Sequence, residues 1–268
     1  MSTLPFIVLR PDRICHVCRL GSRLDERVIG ASVVYVGLEH DVDVHFDGGE
    51  HRRGRIVAIE PYRRHRVAGG RQYVCSILVE PESITDACLE DLVSGLNGAS
   101  GDARALSRFL DCIRDLTDDP ATLRSAFDRN GFDRTVFGRD LDGRAFDLRV
   151  ERIIELFETD VSRPLDIESC ARTISVTGSR FRRLFRESTG VQFRNYRMWK
   201  RVIACLQHIE TPASLTQTAL DLGYPDSTHF SHSIRQTYGL PPRDMKNYMR
   251  DSVFVIGKDI RKLQQLSF

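Results

Sequence analysis

The sequence predicts an α+β protein. A β-rich N-terminal half forms a barrel or sandwich with helices after it, and an all-α part follows, built on two helix-turn-helix units joined by a long helix. Three observations carry that expectation. Residues 5–80 concentrate Val, Ile and Tyr in short runs separated by turn signals. From Pro81 onward apolar residues recur at helical spacing instead. The last third of the chain then repeats its own order of breaks, caps and apolar positions.

The strand expectation rests on residues 27–36, 42–46, 55–60 and 72–79, which alternate partially. Asp47-Gly48-Gly49, Gly54, Pro61 and Gly69-Gly70 separate them, as hairpin turns require. Many short strands so close together fit a barrel or sandwich. Residues 84–96, 103–116 and 120–129 then read as helices, punctuated by Gly- or Asp-rich breaks. A stretch rich in Gly, Asp and Arg follows without periodicity, and an amphipathic helix over 148–158 succeeds it. The expected organisation is an N-terminal domain over 1–130, a linker over 131–147, a C-terminal domain over 148–250 and a tail over 251–268. In the tail, Val253, Phe254, Val255 and Ile256 form an apolar group with no assigned role.

With 268 residues the chain is long enough for two domains, each burying a core of its own. Its 41% hydrophobic and 28% charged residues are those of an ordinary ordered protein. No apolar run approaches the roughly 20 residues that cross a bilayer. Met1 to Arg10 shows neither a basic leader nor a small-residue cleavage site, so a cytoplasmic location is expected. Cysteines at 15, 18, 75, 88, 112, 170 and 205 make an odd number, which argues for buried free thiols over a disulfide framework.

The net charge of +2 conceals an asymmetry. Residues 1–150 carry 21 basic and 24 acidic side chains (−3), and residues 151–268 carry 18 and 13 (+5). Between Arg172 and Arg201 nine basic residues face a single acid, Glu187. Such a block on helical sequence attracts a phosphate backbone whatever its base sequence.

The repeat gives that charge a shape. Ala171 to Gly190 spans 19 positions and Ala219 to Gly239 spans 20, so the second turn holds one more residue. In the first unit, Thr177 suits the N-cap of the second helix, and Phe181, Leu184 and Phe185 form its apolar face. Ser179, Arg182, Arg183 and Arg186 are left outside, where Arg can read guanine O6 and N7 in the major groove. Residues 192–209 make the longest helix. At 1.5 Å per residue it is a rod of about 25 Å, able to hold two units about one DNA turn (~34 Å) apart. Trp199 on it is expected to pack. In the second unit Ser227 is the expected N-cap, Phe230 and Ile234 face the core, and Thr228, His229, Ser231, His232 and Arg235 lie outside. Those side chains suit phosphate contacts more than base reading.

Phe181-Arg182-Arg183-Leu184-Phe185, Gly190, Arg201-Val202, Ala219, Gly223-Tyr224, Asp226-Ser227, Phe230-Ser231 and Gly239-Leu240-Pro241-Pro242 together resemble the signature of AraC/XylS-type transcriptional regulators. The likeness runs from about Leu148 to Arg250. It implies a bacterial regulator whose two recognition helices enter successive major grooves of double-stranded DNA and which commonly activates transcription beside RNA polymerase. Carried over by position, Ser179, Arg182 and Arg183 would read bases, and Ser227, Thr228, Ser231 and His232 would hold the matching places. Thr218, His232 and Ile234 depart from the usual aliphatic, basic and Phe residues, so the second unit is expected to carry less base specificity.

Residues 42–67, with Gly48-Gly49, Arg53-Gly54, Pro61 and His65, are similar to the cupin-type sensor barrel that often precedes this domain. The resemblance implies a small-molecule effector inside the barrel and helices near 82–129 that pair two subunits into a homodimer. His65 matches a position that is a metal ligand in cupin enzymes, but no H-x-H pair or aligned Glu completes a set. Arg63, Arg64 and Arg66 around it favour an anionic or phenolic guest. His65, Tyr35 and Arg64 are therefore the candidate effector contacts, with no metal or other cofactor expected. Cys15-His16-Val17-Cys18 lacks a second ligand pair for zinc and alternates as a strand, with Ile14, His16 and Cys18 on one face.

Two rivals to an effector-sensing regulator are a cupin-type metalloenzyme with an accessory nucleic-acid module and a regulator switched by oxidation of Cys15 and Cys18. No catalytic triad, P-loop or dinucleotide fingerprint supports another enzyme class.

Overall fold

The structure, a computed structural model, describes residues 5–10, 12–19, 25–68, 72–98, 107–108, 110–111, 129–208, 214–248, 253–256 and 259–262. The expected helices over 103–116 and 120–129, and Cys112, lie almost wholly outside these residues.

The N-terminal half is built of β1 (Phe6–Leu9), β2 (Arg13–Arg19), β3 (Arg27–Val28), β4 (Ser32–Gly37), β5 (Val42–Phe46), β6 (His51–Gly54), β7 (Ile56–Ile59), β8 (Arg64–Ala68) and β9 (Tyr73–Val79). Helices α1 (Asp86–Gly98) and α2 (Arg129–Phe137) follow. The strands form two sheets. The larger runs β11-β10-β1-β2-β9-β4-β7, where β10 (Val253–Ile256) and β11 (Asp259–Lys262) come from the tail, and the smaller runs β3-β8-β5-β6.

β4 shows why the larger sheet sits at the centre. All six residues of Ser32–Gly37 are buried, as happens to a strand covered on both faces. Val34 and Val36 pack with Cys15, Val17, Cys75 and Ile77 beneath α1 and α2. Val33 and Tyr35 face the other way, toward the smaller sheet and the C-terminal helices.

Several expectations need correction. The strand foreseen over 27–36 is two strands in different sheets, because the chain crosses between layers around Gly30. The linker foreseen over 131–147 begins as α2, whose Phe132, Val136 and Phe137 are buried in the core above the sheet. A buried bidentate pair, Arg13 Nε and Nη2 to Asp133 at 2.9 and 3.0 Å, ties α2 to β2 across 120 residues that no local pattern connects. The tail acquires a role: β10 pairs in parallel with β1, Phe6 opposite Val253, and extends the larger sheet. Among the described residues the strands pair as two sheets.

The C-terminal helices are α3 (Leu148–Thr159), α4 (Ile167–Thr173), α5 (Gly178–Thr189), α6 (Phe193–His208), α7 (Leu215–Asp221), α8 (Ser227–Tyr238) and α9 (Pro242–Tyr248). The added turn residue falls where the repeat placed it, with four residues between α4 and α5 and five between α7 and α8. Both turns are closed alike, by Val176 N–H to Ala171 O at 2.9 Å and Tyr224 N–H to Ala219 O at 2.8 Å. The first unit has its own core, in which Phe193 packs edge to face with Phe181 and Phe185, Phe185 does so with Tyr196, and Tyr196 lies tilted against Phe157. The second does not. Phe230, Ile234, Val202 and Leu206 share one continuous core with Ile7, Ile14, Tyr35 and Leu78 of the larger sheet. The expectation of a separate core for each domain therefore fails.

Both recognition helices end on a left-handed glycine, Gly190 (φ 76°) and Gly239 (φ 71°). At Gly239 a β-carbon would also stand 2.6 Å from the Asp25 carbonyl oxygen. Gly239→Ala is therefore expected to cost about 1–2 kcal/mol for the left-handed backbone alone, read by chemical denaturation. An unchanged midpoint would refute this account of the close approach.

Candidate nucleic-acid interface and the cavity behind it

On α5, Ser179, Arg182, Arg183 and Arg186 are all exposed, and their spacing of i, i+3, i+4, i+7 makes one stripe. The opposite stripe of Phe181, Leu184, Phe185 and Ser188 is buried. Thr177 caps the helix by accepting from Arg180 N–H at 3.3 Å, and its hydroxyl lies 3.2 Å from that of Ser179. Arg183 reaches Glu187 at 3.6 Å. Among the described residues Arg182 and Arg186 meet no carboxylate.

Counting back from the two capping glycines superimposes the units: Thr177 corresponds to Asp226, and Ser179, Arg182, Arg183 and Arg186 to Thr228, Ser231, His232 and Arg235. Thr228, His232 and Arg235 are exposed and Ser231 is half-buried. The N-cap of α8 is Asp226, not Ser227, which sits half-buried at the first helical position. A carboxylate can accept from two amides at once, and Asp226 takes Thr228 and His229 N–H, both at 2.8 Å. His229 is exposed but its Nδ1 lies 2.9 Å from Asp226, so the cap engages it.

The basic block is less uniform than its sequence. Arg194 on α6 is exposed, but Arg197 and Arg201 are half-buried. Arg201 Nε donates to Val161 O at 3.0 Å. Lys200 is buried against Glu80 and Glu82, acids some 120 positions away that balance it. Trp199 packs, as expected, at 2% exposure.

Behind this surface lies a cavity walled by Ile7, Ile14, Tyr35 and Leu78 of the sheet and by Trp199, Leu206 and Tyr238 of the helices. Its volume is about 70 Å³. Two nitrogens of Arg27 on its wall, Nε and Nη2, are buried and find no acceptor among the described residues. The guanidinium stands 5.2 Å from the centre of the Tyr35 ring.

Tyr35 and His65 meet, Oη to Nε2 at 2.9 Å. His65 Nδ1 lies 2.8 Å from the Arg63 carbonyl, which can only accept, so Nδ1 carries the proton. Burial, then the Arg27 charge, pull the His65 imidazole down to about 3, so it is neutral and Nε2 accepts from Tyr35. Arg64, the third expected contact, lies on the outer face of β8 beside Glu26 and Asp47 and does not join them. Arg27 takes the place assigned to it. Its position at a strand end carried no local signal, since only the fold sets it beside Tyr35. Cys15 and Cys18 are buried on opposite faces of β2, and Cys15 Sγ instead meets Cys75 Sγ at 3.7 Å. Among the described residues no three His, Cys, Asp or Glu side chains gather as a metal set.

Two helix-turn-helix units, each offering a polar stripe from its second helix, define a tandem DNA-binding domain. A family profile described as a helix-turn-helix domain matches residues 170–248. Regulator GbdR of Pseudomonas aeruginosa is 28% identical over 97 residues, 36% of this chain and 26% of that protein. XylDLEGF operon transcriptional activator 2 of Pseudomonas putida is 31% identical over 98 residues, 35% of this chain and 62% of that protein. The chain thus spans about a quarter of the first of these relatives. The crystal structure of ToxT from Vibrio cholerae matches 89% of this chain and 98% of its own at a TM-score of 0.56 and 14% identity, a likeness of fold. Residues 170–248 are therefore a helix-turn-helix domain, similar to that of curated transcriptional regulators. No helix among the described residues is long and apolar enough to cross a membrane.

Proposed function

We propose that the chain is a sequence-specific regulator of transcription, which grips double-stranded DNA with α5 and α8 and responds through its N-terminal half to a small effector. The observation that carries this reading is the exposed stripe Ser179, Arg182, Arg183, Arg186, matched on α8 by exposed Thr228, His232 and Arg235 with half-buried Ser231. Ser227 lies beside the second stripe and Thr177 supports the first as its cap. Activation beside RNA polymerase and a homodimer paired through residues after Glu82 complete the proposal, with a cytoplasmic place of action. Site selection from random duplexes with purified protein tests it. Enrichment of one motif with two half-sites about one turn apart is expected, and an unenriched pool would sink the reading.

The two sheets serve as a cupin-like sensor, and Arg27 indicates the effector's chemistry. A half-buried guanidinium that carries two buried nitrogens into a largely apolar cavity suits a carboxylate on an apolar body. ToxT has been crystallised bound to an unsaturated fatty acid, and to a naphthyl butenoic acid. A guest in this cavity would touch both the sheet and the helices α6 and α8, which couples its binding to the DNA-reading unit. Straight-chain monocarboxylates of increasing length, titrated against Trp199 fluorescence, are expected to bind, and Arg27→Gln to weaken them on the order of tenfold. Equal affinity in the variant would remove Arg27 from the site.

A further inference from the structure

Three ionisable side chains are buried where α6 crosses the larger sheet. Glu80 and Glu82 flank Pro81 just after β9 and are nearly inaccessible. Lys200 sits between them, its Nζ 2.8 Å from Glu82 Oε1 and 3.4 Å from Glu80 Oε2. The neighbouring Trp199 indole N–H donates to both oxygens of Glu80 at 2.8 Å. Its ring lies on Gly30, where a β-carbon would stand 2.5 Å away.

Stability alone does not explain such a cluster, because apolar side chains of equal volume usually serve a core as well or better. What buried charges enforce is registry, since they are satisfied in one seating and stranded in any other. Here the seated element is α6, which joins the two helix-turn-helix units. The first unit holds itself together, whereas the second borrows its core from the sheet. The N-terminal half also meets both recognition helices at their ends. Arg144 and Asp86 pair beside Gly190, and Asp25 N–H donates to Gly239 O at 3.1 Å.

We propose that Glu80, Glu82, Lys200 and Trp199 form an interdomain latch that seats α6 on the sheet and so fixes the angle between the two recognition helices. Half-site spacing is then set by the N-terminal half of the chain. The proposal rests on the DNA-binding reading above and is independent of the effector.

Trp199 is the chain's only tryptophan, so its emission reports the latch directly. The full chain would be tested on its selected site and on the same site lengthened by about five base pairs, half a turn. Lys200→Met is expected to red-shift the emission, open Trp199 to acrylamide and reduce discrimination between the two duplexes about tenfold. The uncharged triple variant Glu80→Gln, Glu82→Gln, Lys200→Met strands no charge, so it is expected to recover the stability of the fold while the discrimination between the two duplexes stays reduced. If circular dichroism shows Lys200→Met unfolded, Glu80→Gln replaces it. That variant keeps an acceptor for the indole, and a smaller shift in the same direction is expected. Folded variants with wild-type emission, or with wild-type spacing preference, overturn the latch. Failure of the unaltered chain to bind any duplex overturns the DNA-binding reading instead.

Discussion

Lys200→Met is expected to destabilise the folded chain by about 3–5 kcal/mol, because it leaves the carboxyl groups of Glu80 and Glu82 buried together without their cation. In the intact protein burial works against the Lys200 charge, but Glu80 and Glu82 outweigh it and hold the ammonium protonated well above its ordinary range. Burial pushes Glu80 up to about 8 from 4.5, against the pull of Lys200 and the Trp199 N–H and with a further push from Glu82. Tyr62, Tyr196 and Glu158 face the same cluster and are raised by burial as well.

The sign of the pH dependence follows. A carboxyl raised on folding holds a proton that the unfolded chain gives up, so its contribution is complete below 4.5 and is lost as pH rises through 8. Denaturation at a series of pH values should show wild-type stability falling across that window and the slope flattening in Glu80→Gln. A slope unchanged by that substitution would remove Glu80 from the explanation.

The double variant Arg182→Ala, Arg183→Ala is expected to lose most specific DNA binding. Each guanidinium that reads a guanine contributes about 1–3 kcal/mol of discrimination, and two adjacent ones act on neighbouring base pairs. Both side chains are exposed on a helix whose opposite face is fully packed, so the fold should survive their loss. Affinity for the selected site should approach that for random duplex, while circular dichroism stays unchanged. Retained preference for the site would refute the assignment of α5. The matching pair Ser231→Ala, His232→Ala should have the smaller effect, since a hydroxyl and an exposed imidazole make weaker contacts than two arginines.

Helix periodicity made the C-terminal domain legible. Phe181, Leu184 and Phe185 announced the buried face of α5, and Gly190 and Gly239 marked two equivalent helix ends. The misplaced cap at Ser227 shows the limit of local reading. Asp226 and Ser227 are both good caps by type, and counting from Gly239 separates them only once both helices are known to be the same length. The linker was misread, and the tail left without a role, for a related reason. Short, polar-rich segments carry little periodicity, so Phe132 under α1 and Val253 beside Phe6 declare themselves only through partners far away in sequence.

From its sequence alone this chain declared two tandem DNA-reading units, because caps, apolar stripes and exposed arginines are encoded within a few turns of helix. Tertiary structure alone decided that Arg27 rather than Arg64 stands beside Tyr35 and His65, that Lys200 faces acids instead of phosphate, and that the second unit shares its core with the sheet. Each of those facts joins residues from 8 to about 220 positions apart, and a side chain's pairing across such a distance is set by how the layers pack, not by its neighbours in the chain.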